Sequence, residues 1–190
     1  MTDPDGIVPL ERLGAVQRHQ AAELLLDGFA HAPSAWRTIE EATAEIASFL
    51  PPQAEAERRR AWAAVDEGAV VGLIGAIAES DHLWELHPLV VTPARQRGGV
   101  GSRLVRVLED EARAAGVTTV MLGSDDDFGG TSLFGRDLYP DVLGALAGLE
   151  VTGGHPLAFY RRHGYAVVGV IPDSTGPGRH DIIMAKRVGS

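Results

Sequence analysis

Residues 90–113 read VVTPARQRGGVGSRLVRVLEDEAR. Apolar strand residues give way to a loop with glycines at 98, 99 and 101, and an amphipathic helix follows the loop. Ordering a glycine costs more conformational entropy than ordering any other residue, so glycines grouped at a strand-to-helix junction predict that something approaches the main chain closely there. The nature of that ligand depends on the rest of the chain.

The composition is that of one ordinary globular domain. The chain has 190 residues, of which 45% are hydrophobic and 23% charged, a balance that can bury a core. It contains no cysteine, which excludes disulfides, thiolate catalysis and Cys-ligated zinc. No apolar run approaches ~20 residues, and the N-terminal residues lack the basic-then-apolar order of a signal peptide. These features predict a single domain over residues 1–190, located in the cytoplasm.

The charge balance favours cationic partners over anionic ones. The formal net charge is −9 and the sequence pI is about 5.2. Nucleic-acid binding needs clustered Lys and Arg for phosphate contacts, so a nucleic-acid partner is not expected. An acidic surface also serves solubility alone, but it suits a small cationic molecule. No membrane partner is expected.

Hydrophobic periodicity predicts an α/β fold with the order β-α-α-β-β-β-α-β-α-β-β. The predicted strands are 7–13, 61–65, 70–80, 83–91, 117–124, YAVVGVIP and HDIIMAKRV. The predicted helices are 15–29, 38–50, 100–115, a segment within 139–149 and 156–163. Pro88 interrupts the strand at 83–91, and a central strand tolerates proline only at a bulge or an unpaired position, so an irregularity is predicted there.

Three kinds of glycine-rich loop compete at residues 96–101. A P-loop needs G-x-x-x-x-G-K-[ST], which the chain lacks. The dinucleotide fingerprint needs G-x-G-x-x-G, but Leu104 stands where the third glycine belongs. What remains is the pattern Gln96-x-x-Gly99-x-Gly101, at the start of a helix whose free N–H groups and dipole suit an anion. A tight turn without a ligand is the alternative.

This pattern resembles the [Q/R]-x-x-G-x-[G/A] loop of the GNAT N-acetyltransferase superfamily, whose members bind the pyrophosphate of acetyl-coenzyme A there. The resemblance implies a GNAT fold with a mixed, mostly antiparallel sheet that is splayed between strands 4 and 5. The pantetheine arm would pair with the parted strand edge, as an added strand does. The implied cofactor-binding residues are Leu89, Val90, Val91, Gln96, Arg97, Gly98, Gly99, Val100, Gly101, Ser102 and Tyr160.

Further blocks resemble one group within that superfamily. WELHPLVV, LGSDD, TSL…DLY, HPLAFYRRHGY and VGVIP…DIIMAK occur in order between about residues 70 and 188, as in the aminoglycoside 6′-N-acetyltransferases that carry WELHPLVV. The resemblance implies an acetyl-coenzyme A-dependent enzyme acting on a 6′ amine, and it allows a homodimer. Ile183 stands where that group tends to carry a tryptophan, so any substrate contact made by that ring is lost.

Acetyl transfer to an amine requires an acceptor for the amine proton, since an ammonium group has a pKa near ~10. Glu85 is the candidate that orients and deprotonates the amine, and its counterpart in the family has that proposed role. His87 lies on the same strand face and could assist, although a hydrogen-bonded strand histidine is an equal alternative. The N–H of Leu89 or Val90 could bind the developing oxyanion.

The leaving thiolate needs a proton donor. Tyr160 matches the family tyrosine beside the coenzyme sulfur, whereas Tyr165 is interpreted as a core residue at a strand start. With no cysteine available, direct transfer in a ternary complex is expected.

Acidic residues are the candidates for binding a cationic substrate. Asp125, Asp126 and Asp127 follow a strand at its carboxyl end, where open sheets bind ligands. Their alternative role is an acidic surface loop or a helix cap. Asp137 and Asp181 are further candidates for the same acidic wall, the surface formed with Asp125, Asp126 and Asp127 that would bind the cationic substrate. The consecutive aspartates lack the alternating spacing of a calcium loop, so no metal is predicted.

Two other functions stay open on the sequence. One is an acetyltransferase for another amine, such as a polyamine, an amino sugar or a peptide terminus. The other is a non-catalytic acyl-coenzyme A-binding module whose acceptor site has decayed, but that function would require the loss of Glu85 and Tyr160, and both are present.

Overall fold

The computed structural model describes the backbone of residues 6–30, 32, 35–56 and 58–189. By its internal contacts the chain divides into two compact units. The first unit runs to Val120 and includes the chain end from Val188, and the second runs from Met121 to Arg187.

In the first unit, the strands lie in chain order as antiparallel neighbours. They are β1 (Ile7–Pro9), β2 (Arg59–Asp66), β3 (Ala69–Ala78) and β4 (Leu83–Val91). The predicted hairpin is β2 and β3, and β4 has the predicted bounds. The first strand is shorter than predicted because a 3-10 turn at Leu10–Arg12 follows it and buries Leu10.

The helices of the first unit are α1 (Ala15–Gly28), α2 (Ile39–Ser48), α3 (Gln53–Ala56) and α4 (Val100–Ala114). The Thr38 hydroxyl caps α2 by accepting the N–H of Glu41 at 3.2 Å, and the predicted stripe of α2 buries Ala42 and Ile46. In α4 the apolar face is fully buried. Gly116 follows with φ of +81°, as expected for a residue just past a helix end.

Pro88 lies in a β-bulge, which confirms the irregularity predicted there. Ile74 pairs with Leu89 and Ala76 pairs with Leu86, so His87 and Pro88 together stand opposite the single residue Gly75. A bulge accommodates proline, which has no N–H to give to the ladder. Alternate side chains of β4 are buried, and Glu85, His87 and Leu89 occupy the half-buried positions between them.

The second unit contains most of β5 (Thr119–Asp125), which begins in the first unit, together with β6 (Ala166–Gly176) and β7 (Arg179–Arg187). The order is β5-β7-β6, and β6 and β7 are antiparallel. Its helices are α5 (Val142–Ala147) and α6 (Leu157–Arg162). The predicted α/β class is confirmed. The splay expected between the fourth and fifth strands stays a prediction.

Within the described part of the chain, every helix is too short or too polar to span a bilayer.

Candidate active site

The loop between β4 and α4 folds back onto the end of β4. The N–H of Thr92 bonds the Val71 carbonyl at 3.0 Å, and a 3-10 turn follows at Pro93–Arg95. The side-chain amide of Gln96 then donates to the Val91 carbonyl at 3.0 Å. Gln96 thus shapes the loop, whose residues 93–99 are exposed to solvent.

Gly99 begins α4 in a conformation that favours glycine. Its φ is +87°, and an added β-carbon would meet nothing within 4 Å, so the space beside it is open. The first N–H groups of a helix have no carbonyl one turn earlier to bond, and the helix dipole makes this end electropositive. An open glycine cradle at the start of a 15-residue helix fits a diphosphate.

On β4, His87 contacts groups that come from outside its strand. Its Nε2 lies 3.7 Å from Oε1 of Glu45 on α2. The same Glu45 oxygen lies 3.0 Å from Nη1 of Arg59 on β2. The Trp36 ring lies with its centroid 6.0 Å from that of the His87 imidazole. Sequence reasoning did not single out Glu45, Arg59 or Trp36.

Trp36 is held in place by the helical layer. Its ring meets Phe29 edge to face, with centroids 5.4 Å apart, and packs against the core formed by α1, α2, β2 and β3. The sequence feature that could have indicated Trp36 is its place in the connection between two helices, because loops held by a rigid scaffold often carry binding residues.

In the second unit, Asp125 and Asp181 form a pair of interacting carboxyl groups. Burial raises the pKa of Asp125 to about 6, and the charges of Asp181 and Asp127 add to this effect. Burial also raises the pKa of Asp181, against a hydrogen bond from the Ser124 backbone that lowers it. The Asp181 carboxylate packs against the β5 backbone at Gly123, where an added β-carbon would lie 2.5 Å from its Oδ2.

The other predicted acidic residues have partners inside the second unit. Asp126 is buried and accepts the Gly130 N–H at 2.8 Å, the Thr131 N–H at 3.0 Å and the Thr131 hydroxyl at 2.6 Å. Asp127 is buried and accepts the Thr175 hydroxyl at 2.6 Å. Asp137 accepts the N–H of Tyr139 at 3.0 Å and is exposed. The three consecutive aspartates therefore differ in role. Asp126 and Asp127 hold loops through hydrogen bonds, and Asp125 does not.

Tyr160 of α6 lies in an aromatic cluster. Its ring centroid is 5.2 Å from that of Phe159 and 5.7 Å from that of Tyr165, both edge to face. Burial raises the pKa of the Tyr160 hydroxyl well above its ordinary value. The hydroxyl therefore stays protonated at neutral pH and is a weaker acid than that of an exposed tyrosine.

Among the described residues, no three acidic, histidine or cysteine side chains are grouped as a metal ion would require.

Residues 22–134 match the family described as Acetyltransferase (GNAT) family. No curated protein sequence matches the chain.

Solved structures resemble the chain over nearly its whole length. One is an aminoglycoside 6′-N-acetyltransferase complexed with coenzyme A, 36% identical, with a TM-score of 0.84. Another is the aminoglycoside 6′-N-acetyltransferase from Enterococcus faecium, 36% identical, with a TM-score of 0.83. A third is aminoglycoside 6′-acetyltransferase type Ii, 33% identical, with a TM-score of 0.70. In each case the match covers 96% of both chains.

Proposed function

The chain belongs to the GNAT family of acetyltransferases, and we propose that it transfers the acetyl group of acetyl-coenzyme A directly to a primary amine of a small cationic substrate, the 6′ amine of an aminoglycoside. The observation that carries the proposal is the open, positive-φ glycine at the start of α4, directly after the bulged strand with Glu85 and His87. Likeness to aminoglycoside acetyltransferases at 33–36% identity supports the choice of acceptor.

The loop after β4 would bind the coenzyme through its main chain. The N–H groups from Gly98 to Ser102, at the positive end of α4, would bind the diphosphate, and Gln96 keeps the loop folded against Val91. Arg97, with φ of +60°, belongs to the same turn. The backbone of Leu89–Val91 would pair with the pantetheine arm. When bound, acetyl-coenzyme A supplies the thioester from which the acetyl group leaves.

Glu85 would orient the amine and accept its proton, directly or through water, with His87 beside it. The N–H of Leu89 or Val90, after the bulge, would stabilise the negative charge that develops on the thioester oxygen. Tyr160 would give its proton to the departing thiolate, a role suggested by its match to the family tyrosine beside the coenzyme sulfur.

Asp125 and Asp181 would bind the positive charges of the substrate. Burial raises both pKa values, and the charge of Asp181 adds to the rise at Asp125, so a bound cation would relieve an unfavourable interaction. Asp126 and Asp127 would stabilise this acidic wall through their hydrogen bonds to its loops. Asp137, which is exposed, would lie at the edge of the wall. The cysteine-free chain and the use of acetyl-coenzyme A support a cytoplasmic location.

Thiol release from acetyl-coenzyme A tests the proposal when it is followed with kanamycin, spermine and a peptide panel as acceptors. Release with kanamycin alone is the expected result. Release with spermine or a peptide but not kanamycin would overturn the choice of acceptor. Tight coenzyme binding without release from any acceptor would identify a non-catalytic binding module instead.

A further inference from the structure

Glu45 joins α2 to the candidate catalytic strand. Its side chain is only 17% exposed, and one of its oxygens faces both His87 Nε2 at 3.7 Å and Arg59 Nη1 at 3.0 Å. Ser48, one turn further along α2, also contacts Nη1 of Arg59 at 3.1 Å. The guanidinium therefore holds the carboxylate where it faces the imidazole.

Arg59 is itself fixed from a second side. Its guanidinium carbon lies 5.4 Å from the centroid of the Phe49 ring, a cation–π distance. Phe49 is buried and also lies against Gly75 at the bulge. Packed side chains around the bulge thus fix the position of the Glu45 carboxylate relative to His87, as a role in catalysis requires.

A carboxylate beside one nitrogen of a neutral imidazole selects the tautomer. It attracts the proton to the nitrogen that it faces, here Nε2, and leaves the other nitrogen, Nδ1, as the proton acceptor. The present distance of 3.7 Å is longer than a hydrogen bond but within ion-pair range. The Trp36 ring lies beside the same imidazole, with the two ring centroids 6.0 Å apart.

We infer that Glu45 is a positioning residue, which holds the proton of His87 on Nε2 so that Nδ1 accepts a proton during acetyl transfer. This inference rests on the proposed function. The amine, after it has lost its first proton to Glu85, forms a bond from its lone pair to the acetyl carbon, and the bond from that carbon to the coenzyme sulfur breaks. The second proton that the nitrogen loses passes to Nδ1, directly or through water. Glu45 then balances the positive imidazolium, while the thiolate takes its proton from Tyr160. The other charged groups that face this region are Arg59 on β2 and Glu85 on β4 itself.

The test combines turnover with a direct measurement of the tautomer. Glu45→Ala should lower kcat about tenfold with little change in the KM for acetyl-coenzyme A, and Glu45→Gln should recover part of the loss because its amide oxygen also attracts the proton on Nε2, though without a full charge. Glu40→Gln removes the same charge from an exposed position of the same helix and should leave kcat unchanged. The two ring nitrogens of His87 are assigned by ¹⁵N NMR through their loss in His87→Asn.

At alkaline pH, the native protein should show the proton of His87 mainly on Nε2, and Glu45→Ala should shift the two tautomers towards equal populations. Unchanged tautomer populations in Glu45→Ala would overturn the inference, whatever happens to turnover. If Glu45→Ala does not fold, Glu45→Leu, whose side chain has no acceptor atom, decides in its place. Because the NMR readout needs no acceptor, it is independent of a failure of the proposed function, which thiol release would reveal.

Discussion

Gly75 of β3 and His87 of β4 approach so closely across the bulge that a β-carbon on Gly75 would overlap the main-chain oxygen of His87. The same β-carbon would stand 2.8 Å from the ring of Phe49. The neighbour that would have to give way is backbone, which cannot rotate aside. The positions of Glu85 and His87 on β4 therefore depend on Gly75, which faces the bulge from β3.

Gly75→Ala should destabilise the protein by about 2–3 kcal/mol because the strand must move to admit the extra carbon. Urea unfolding followed by circular dichroism measures the free energy. Gly153→Ala is the matched control, since a β-carbon there meets nothing within 4 Å. Equal stability of the two variants would show that the bulge is not closely packed.

Gly99→Val should weaken acetyl-coenzyme A binding at least tenfold, since a branched side chain would fill the space of the diphosphate. The control is Gly116→Val at the other end of α4, where φ is also positive and the space is also open. Both variants strain the backbone alike, so calorimetric titration should separate them. Equal affinities in the two variants would remove the loop from the coenzyme site.

Glu85→Gln should lower kcat about 100-fold and leave coenzyme affinity nearly unchanged, because the amide keeps the shape of the side chain but accepts no proton. Glu79→Gln removes an equal charge from an exposed position just after β3 and should retain full turnover. An unaltered rate in Glu85→Gln would exclude Glu85 as the base.

Asp125→Asn should change how stability depends on pH. The pKa of Asp125 is raised from 3.8 to about 6 in the folded protein, so its protonated form is favoured there. The resulting contribution to stability is complete below about pH 4 and is lost as the pH rises through about 6. The asparagine stays neutral, so the variant should gain about 1 kcal/mol relative to the native protein between pH 4 and 7, after allowance for solvent screening.

Urea unfolding at several pH values measures this difference. Glu150→Gln, at an exposed position of the same unit, should show no such gain. A difference between Asp125→Asn and the native protein that is the same at every pH would contradict the raised pKa.

Sequence patterns predicted the elements that depend on local rules. The strand at 83–91 has the predicted bounds, and Pro88 predicted its bulge because the absence of an N–H has the same consequence in any sheet. The clearest helix, predicted at 100–115, ends one residue earlier. The first strand was predicted too long because the apolar Leu10 is buried by a turn as well as it would be by a strand.

The contacts of His87 could not be predicted in this way. The period of α2 indicates that Ala42 and Ile46 are buried, but it does not tell which strand residue Glu45 will face. The consecutive aspartates show the same limit, since adjacent residues at a strand end point in different directions. Asp126 is 1% exposed, while its neighbour Asp125 is only partly removed from solvent, and only the folded loop distinguishes them.

A crystal of the protein soaked with acetyl-coenzyme A would locate the coenzyme relative to the start of α4. We expect the diphosphate within hydrogen-bond distance of the main-chain N–H groups between Gly98 and Ser102, with the thioester lying along β4 near Leu89. Electron density for the coenzyme elsewhere on the protein, with this loop free of phosphate at saturating concentration, would contradict the assignment of the glycine loop and the function built on it.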